Sequence, residues 1–123
     1  MVTAQFNQQT RILESKFEGN VILAEIVNYI IATKENKTYP RKLKILTDSM
    51  DAVFNFTIED LEIIVEENIK SLEKYDSIID AIIIDDPKNT VLSMLYLELA
   101  KTNKYRFEIF ATKSAALDWL NNF

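Results

Sequence analysis

The run Ile78-Ile79-Asp80-Ala81-Ile82-Ile83-Ile84 constrains this chain more than any other stretch, because it is apolar on both of its alternating faces. Near-continuous apolar runs of this length mark central strands of a parallel sheet. The run ends in Asp85-Asp86-Pro87. Asp86 stands where a helix cap belongs and Pro87 where a first helical residue belongs, so a helix is expected directly after the strand. Asp80 is the one polar interruption.

Elements before and after this strand follow from periodicity. Thr3 to Phe17 reads as a hairpin: Ala4-Gln5-Phe6, a turn over Asn7 to Thr10, then Arg11 to Phe17 with Leu13, Ser15 and Phe17 on one face. Gly19-Asn20 ends it, and Asn20 is placed to cap a helix from Val21 to Thr33. That helix is apolar over most of its surface. Its excess is read either as deep packing or as an outer flank of Leu23, Val27 and Ile31 that meets a second copy. Lys34 to Arg41 is a loop, and Lys42 to Thr47 is a strand. Asp48 to Phe56 is too irregular for a regular element. Thr57-Ile58-Glu59-Asp60 has the character of a capping box, opening a helix that turns Leu61, Ile64, Val65, Ile69 and Leu72 to one side. After the central strand, the helix to Thr102 is read with Val91, Leu92, Leu95 and Leu99 inward. Tyr105 to Phe110 is the last strand, and Thr112 caps a short final helix.

The order is hairpin, then helix and strand in alternation, which implies parallel strands joined by crossovers. The 123 residues fit one domain, 1–123. Three strands keep a polar face, at Lys42 and Lys44, at Arg106 and Glu108, and around Ile12. The expectation is an α/β fold with a five-stranded mixed sheet laid down in sequential order and four helices mostly on one face.

Absent residue types narrow the chemistry. There is no cysteine and no histidine, so thiol chemistry and the usual general base and zinc ligand are excluded. One glycine, where average usage gives roughly nine, leaves no phosphate-cradling loop. The net charge of −5 argues against a nucleic-acid footprint. No apolar run reaches the ~20 residues of a membrane span, and no signal peptide is evident, so a cytoplasmic location is expected. No cofactor is expected, and the protein is expected not to be an enzyme.

The last third carries a resemblance. Asp80-Ala-Ile-Ile-Ile, a Leu-rich helix, then Tyr105-Arg-Phe-Glu-Ile-Phe-Ala-Thr-Lys-Ser-Ala-Ala-Leu-Asp-Trp-Leu120 resembles small bacterial proteins with a SpoIIAA-like, or STAS-like, fold. The resemblance implies a non-enzymatic regulatory or protein-interaction module. Its better-known members are anti-anti-sigma factors with a phosphorylated serine in an Asp-Ser-Ser-Gly turn at a helix start. Here that tetrad is missing. Only Thr57 offers a hydroxyl at the equivalent helix start, and Ser49 lies earlier in the loop. These two are the candidate phosphoacceptors.

Two further sites are legible. Asp48, Asp85 and Asp86 fall at carboxyl ends of neighbouring strands, where open α/β sheets bind ligands, and could hold Mg²⁺ or accept a phosphoryl group. Met50, Val53, Phe54 and Phe56 are large apolar residues in the irregular segment. They either plug the end of the sheet or form a surface for a partner or a small apolar ligand. The leading expectation is an interaction module, read as a homodimer. The alternatives are a ligand-binding domain with a cavity near Phe54 and Phe56, and the acidic Mg²⁺ or phosphoacceptor site.

Overall fold

Five strands lie side by side in the order in which the chain makes them. They are β1 (Val2–Asn7), β2 (Ile12–Ile22), β3 (Lys42–Asn55), β4 (Ser77–Ile83) and β5 (Tyr105–Phe110). β1 runs antiparallel to β2, and every later pair is parallel. The helices are α1 (Leu23–Glu35), α2 (Leu61–Leu72), α3 (Pro87–Ala100) and α4 (Lys113–Leu120). This computed structural model describes residues 1–123.

Side-chain alternation divides the sheet into two buried faces. Leu13, Ile45, Ile78 and Ile82 meet α1, α2 and α3, while Ile12, Leu46, Ala81 and Ile83 meet Ala116 and Leu120 of α4. Three helices on one face and one on the other match the expected distribution. They also explain why β4 is apolar on both sides. The polar residues of the second face sit at its margins. Lys44 Nζ donates to the carbonyl oxygen of Phe123 at 2.7 Å, and the Arg106 guanidinium lies 5.3 Å from the Phe123 ring centre.

Two boundaries differ from the sequence expectation. β2 does not stop at Gly19-Asn20. It passes through Gly19 with φ +66° and continues to Ile22, so Asn20 is a strand residue and not a helix cap. α1 starts at Leu23, and its N-cap Ile22 makes no side-chain bond. The segment Asp48 to Phe56 is likewise not irregular as expected, because β3 continues through it to Asn55 and leaves only Phe56 outside. Beyond the point where β4 ends, β2 and β3 pair as a two-stranded ribbon from Glu18↔Asp51 to Ile22↔Asn55. The pattern was obscured by a bulge: Lys16 to Glu18 on β2 face Asp48 to Asp51 on β3, one residue more. Past the extra residue the alternation is regular, with Ala52 and Phe54 buried and Asp51, Val53 and Asn55 exposed.

α3 holds the ribbon down. Asn89, fully buried, accepts from the Phe54 amide at 3.1 Å and donates to the Ala52 carbonyl at 2.9 Å. Asp86 caps the same helix, accepting from Asn89 N at 2.9 Å, as Asp86-Pro87 predicts. The capping box before α2 is reciprocal: Thr57 N donates to Asp60 Oδ2 at 2.9 Å and Asp60 N to Thr57 Oγ1 at 3.3 Å.

The inward faces of α2 and α3 are the larger departure. Leu92 of α3 is buried as expected, but Val91, Leu95 and Leu99 are exposed, and Asn89, Ser93 and Tyr96 turn inward with it. α2 buries Asn68 and Ser71 with Leu61, Ile64 and Leu72, while Ile69 faces solvent. α3 is apolar nearly all round, so its hydrophobic pattern gives no contrast from which to choose a face.

Candidate functional site

Small and polar side chains at the inward positions of three helices leave space under them. Thr33 of α1, Asn68 and Ser71 of α2, and Ser93 of α3 stand where large apolar residues would fill a core. A cavity of about 90 Å³ results, between these helices and the sheet. At ~24 cal/mol per Å³, such a space costs about 2 kcal/mol of stability relative to a filled core.

Asp80 projects into it. Residue alternation along β4 puts Ile78, Asp80 and Ile82 on the three-helix face, and the register places Asp80 between Ile45 and Phe107. Thr47 Oγ1 donates to Asp80 Oδ1 at 2.8 Å. Burial withholds water from the carboxylate and raises its pKa from 3.8 to about 7, against the pull of hydrogen bonds from Thr47 and Tyr105. Asp80 therefore changes charge near neutral pH. Asp80, Tyr29 and Tyr96 are half-buried, and all three line the cavity.

Tyrosine hydroxyls supply the remaining polar groups. Tyr29 of α1 pairs with Ser15 of β2 at 2.6 Å, and Tyr96 of α3 donates to Tyr105 of β5 at 3.2 Å. Burial is the main cause holding all three phenols well above their ordinary value of 10, so they stay neutral. Their rings pack edge-on: Tyr96 lies 5.1 Å from Phe107 at 84°, and Phe17 lies 5.5 Å from Tyr29 at 84°. Phe54 and Phe56, stacked at 5.4 Å, carry the wall onto the β2–β3 ribbon. The Asn68 side-chain amide nitrogen, also on the wall, has no hydrogen-bond partner in the protein.

The residues singled out in the sequence are dispersed. Phe54 and Phe56 line the cavity, whereas Met50 and Val53, on the same strand, are 41% and 58% exposed. Ser49 is 1% exposed, so its hydroxyl is out of reach of a modifying enzyme in the folded chain. Thr57 is exposed, with its hydroxyl engaged by the Asp60 amide. Asp48 pairs with Lys16 at 3.3 Å, Asp86 is a cap and Asp85 is exposed. No three acidic side chains in the structure come close enough to share a metal ion. Leu23, Val27 and Ile31 of α1 are half-buried. Asp80, Tyr29, Tyr96 and Tyr105 were not singled out as a site. The available signal was one acid in the middle of an otherwise apolar strand.

A solved structure of an uncharacterised DUF3478-family protein from Shewanella loihica, described as having a SpoIIAA-like fold, superposes with a TM-score of 0.62. The match covers 98% of this chain and 92% of that one, at 16% identity.

The fold is SpoIIAA-like. The expectation drawn from the last third of the sequence therefore holds for the whole chain. At this identity the likeness speaks for architecture, and a SpoIIAA-like scaffold does not by itself specify a function. No protein-family model matches the sequence, and a search of curated proteins finds no match. No helix is long and apolar enough to cross a membrane.

Proposed function

We propose that this protein is a non-enzymatic small-molecule-binding module whose ligand sits between the sheet and α1, α2 and α3. One observation carries the reading. The chain buries an ionisable acid and several hydroxyls around an open space while exposing Val91, Met94, Leu95 and Leu99 on the outside of the same helix layer. A core shaped only for stability would do the reverse, since unfilled volume and buried polar groups both cost free energy. Ligand sites are concave, mostly apolar and furnished with a few converging polar groups, and this cavity has those properties.

The test is a panel of four-carbon amines, alcohols and carboxylates titrated into ¹⁵N-labelled protein. Saturable amide shifts confined to cavity-wall residues, and lost in Ser93→Leu, are expected for at least one class. Ser71→Val serves as a second blocking variant. A panel in which no compound moves these amides rejects the reading.

A second reading rests on the outer face of α3. Val91, Met94, Leu95 and Leu99 form an exposed apolar stripe at helical spacing. It favours a regulatory or protein-interaction module that pairs through α3, with itself or with another protein, rather than through α1. For self-pairing, light scattering on the wild type and on a Leu95→Glu, Leu99→Glu double variant decides. A dimer that the double variant converts to monomer supports it, and a wild-type monomer at every concentration removes it.

A further inference from the structure

We infer that the ligand of this cavity is a small amine, bound as its ammonium ion with the charged head on Asp80 and the hydrocarbon against the aromatic wall. The inference rests on the ligand-binding reading and specifies its chemistry.

Charge makes the first argument. Asp80 is the only charged side chain on the cavity wall, and no lysine or arginine from any surrounding element reaches it. An anionic ligand would find no counter-ion there and would face the carboxylate. A neutral ligand would leave the carboxylate, where it is ionised above neutral pH, without a partner charge. An ammonium group resolves it, because an opposite charge within hydrogen-bond reach favours the ionised acid.

The aromatic rings make the second. Tyr29, Tyr96, Tyr105 and Phe107 surround the acid from α1, α3 and β5. Ring faces attract cations, most strongly where water is excluded, and cages of rings beside a carboxylate recognise ammonium groups for that reason. Tyrosine hydroxyl oxygens accept further ammonium hydrogens, while the unpartnered Asn68 amide nitrogen is a donor and takes no part in holding the cation.

Size makes the third. An apolar cavity of ~150 Å³ accepts benzene. The space here, about 90 Å³, is smaller. The pocket is open on one side, so the ammonium head and first carbon atoms occupy this space and a longer chain, such as that of butylamine, extends through the opening.

Binding then depends on pH through one group. Thr47, Tyr29, Tyr96 and Tyr105 face Asp80, and the three phenols stay protonated through neutrality. An alkylamine is cationic throughout that range, so only Asp80 changes charge.

The experiment compares butylamine, 1-butanol and butyrate on the full-length protein by NMR titration at pH 5 and pH 8, with wild type and Asp80→Asn. Butylamine is expected to bind most tightly at pH 8 and to weaken at pH 5. In Asp80→Asn its affinity should fall by about 10-fold or more, the usual worth of a charge-assisted hydrogen bond, while 1-butanol changes by less than ~2-fold. Cavity binding of 1-butanol or butyrate that equals or exceeds that of butylamine at pH 8 overturns the amine inference and leaves the ligand-binding reading standing. Butylamine binding that Asp80→Asn leaves unchanged also overturns it. Silence from all three compounds overturns both.

Discussion

Raising the pH from 4 to 8 should cost this protein stability that the Asp80→Asn variant does not lose. In the folded chain Asp80 titrates at about 7, and in the unfolded chain at its ordinary 3.8. Below pH 4 both states hold the proton, and the native state has its full advantage. Between these values the native state keeps a proton that the unfolded state has given up, so the free energy of unfolding falls as pH rises. Above about 7 the native carboxyl is ionised too, and the decline levels off. The gap is about three pH units, each worth about 1.4 kcal/mol, so the full loss is about 4 kcal/mol. That is a large share of the ~5–15 kcal/mol that holds a typical domain together.

Urea unfolding at half-unit steps from pH 4 to 9, on both proteins, measures the effect. The difference between the two curves isolates the group, because the other titrating residues are common to both. The variant should become the more stable protein above neutral pH, since an amide can sit in the cavity without a charge to desolvate. Carbon-detected NMR of the aspartate carboxyls gives the midpoint directly. Parallel stability profiles for the two proteins, or an Asp80 midpoint below 5, would refute the account of Asp80 as a buried, desolvated acid.

Three further substitutions probe the architecture around the site. Asn89→Ala removes both bonds that fasten the β2–β3 ribbon to α3 and leaves the Phe54 amide and Ala52 carbonyl without partners, at a cost of roughly 2–4 kcal/mol. Hydrogen exchange should then accelerate at residues 51–55 more than elsewhere. Ser93→Leu should stabilise the protein by up to about 2 kcal/mol as it fills the cavity, measured by urea midpoint at constant slope. Tyr29→Phe leaves the buried Ser15 hydroxyl without its 2.6 Å partner and should cost about 1 kcal/mol in the same assay, with the fold retained.

Strand order and helix placement were legible because they depend on which residues avoid water, and that is written in alternation. Ile78 to Ile84 reads as a strand covered on both sides, and α1–α3 and α4 cover it. The ribbon was hidden because alternation has no memory across a bulge. One extra residue between Asp48 and Asp51 shifts the phase, and Ala52 and Phe54 then look out of step with Ile45 and Thr47. The inward faces of α2 and α3 were hidden for a different reason. Reading a helix by its apolar stripe assumes that the stripe faces the core. Here Val91, Leu95 and Leu99 face out and Asn89, Ser93 and Tyr96 face in.

That inversion and the lone acid of β4 are one fact seen twice. Asp80 takes its hydrogen bonds from within the sheet, from Thr47 and Tyr105, and needs only room from the layer above it. The layer provides that room by giving up apolar volume at Thr33, Asn68, Ser71 and Ser93. Each polar choice would be a local error if packing were the whole purpose of the interior. Taken together they are mutually consistent, since every one faces the same space. Consistency among residues from β2, β3, β4, β5 and three helices is what separates a built site from a packing defect. The Asp80→Asn titration decides between the two: a defect would relax around an amide and bind nothing, whereas a site would keep its shape and lose its preference for the cation.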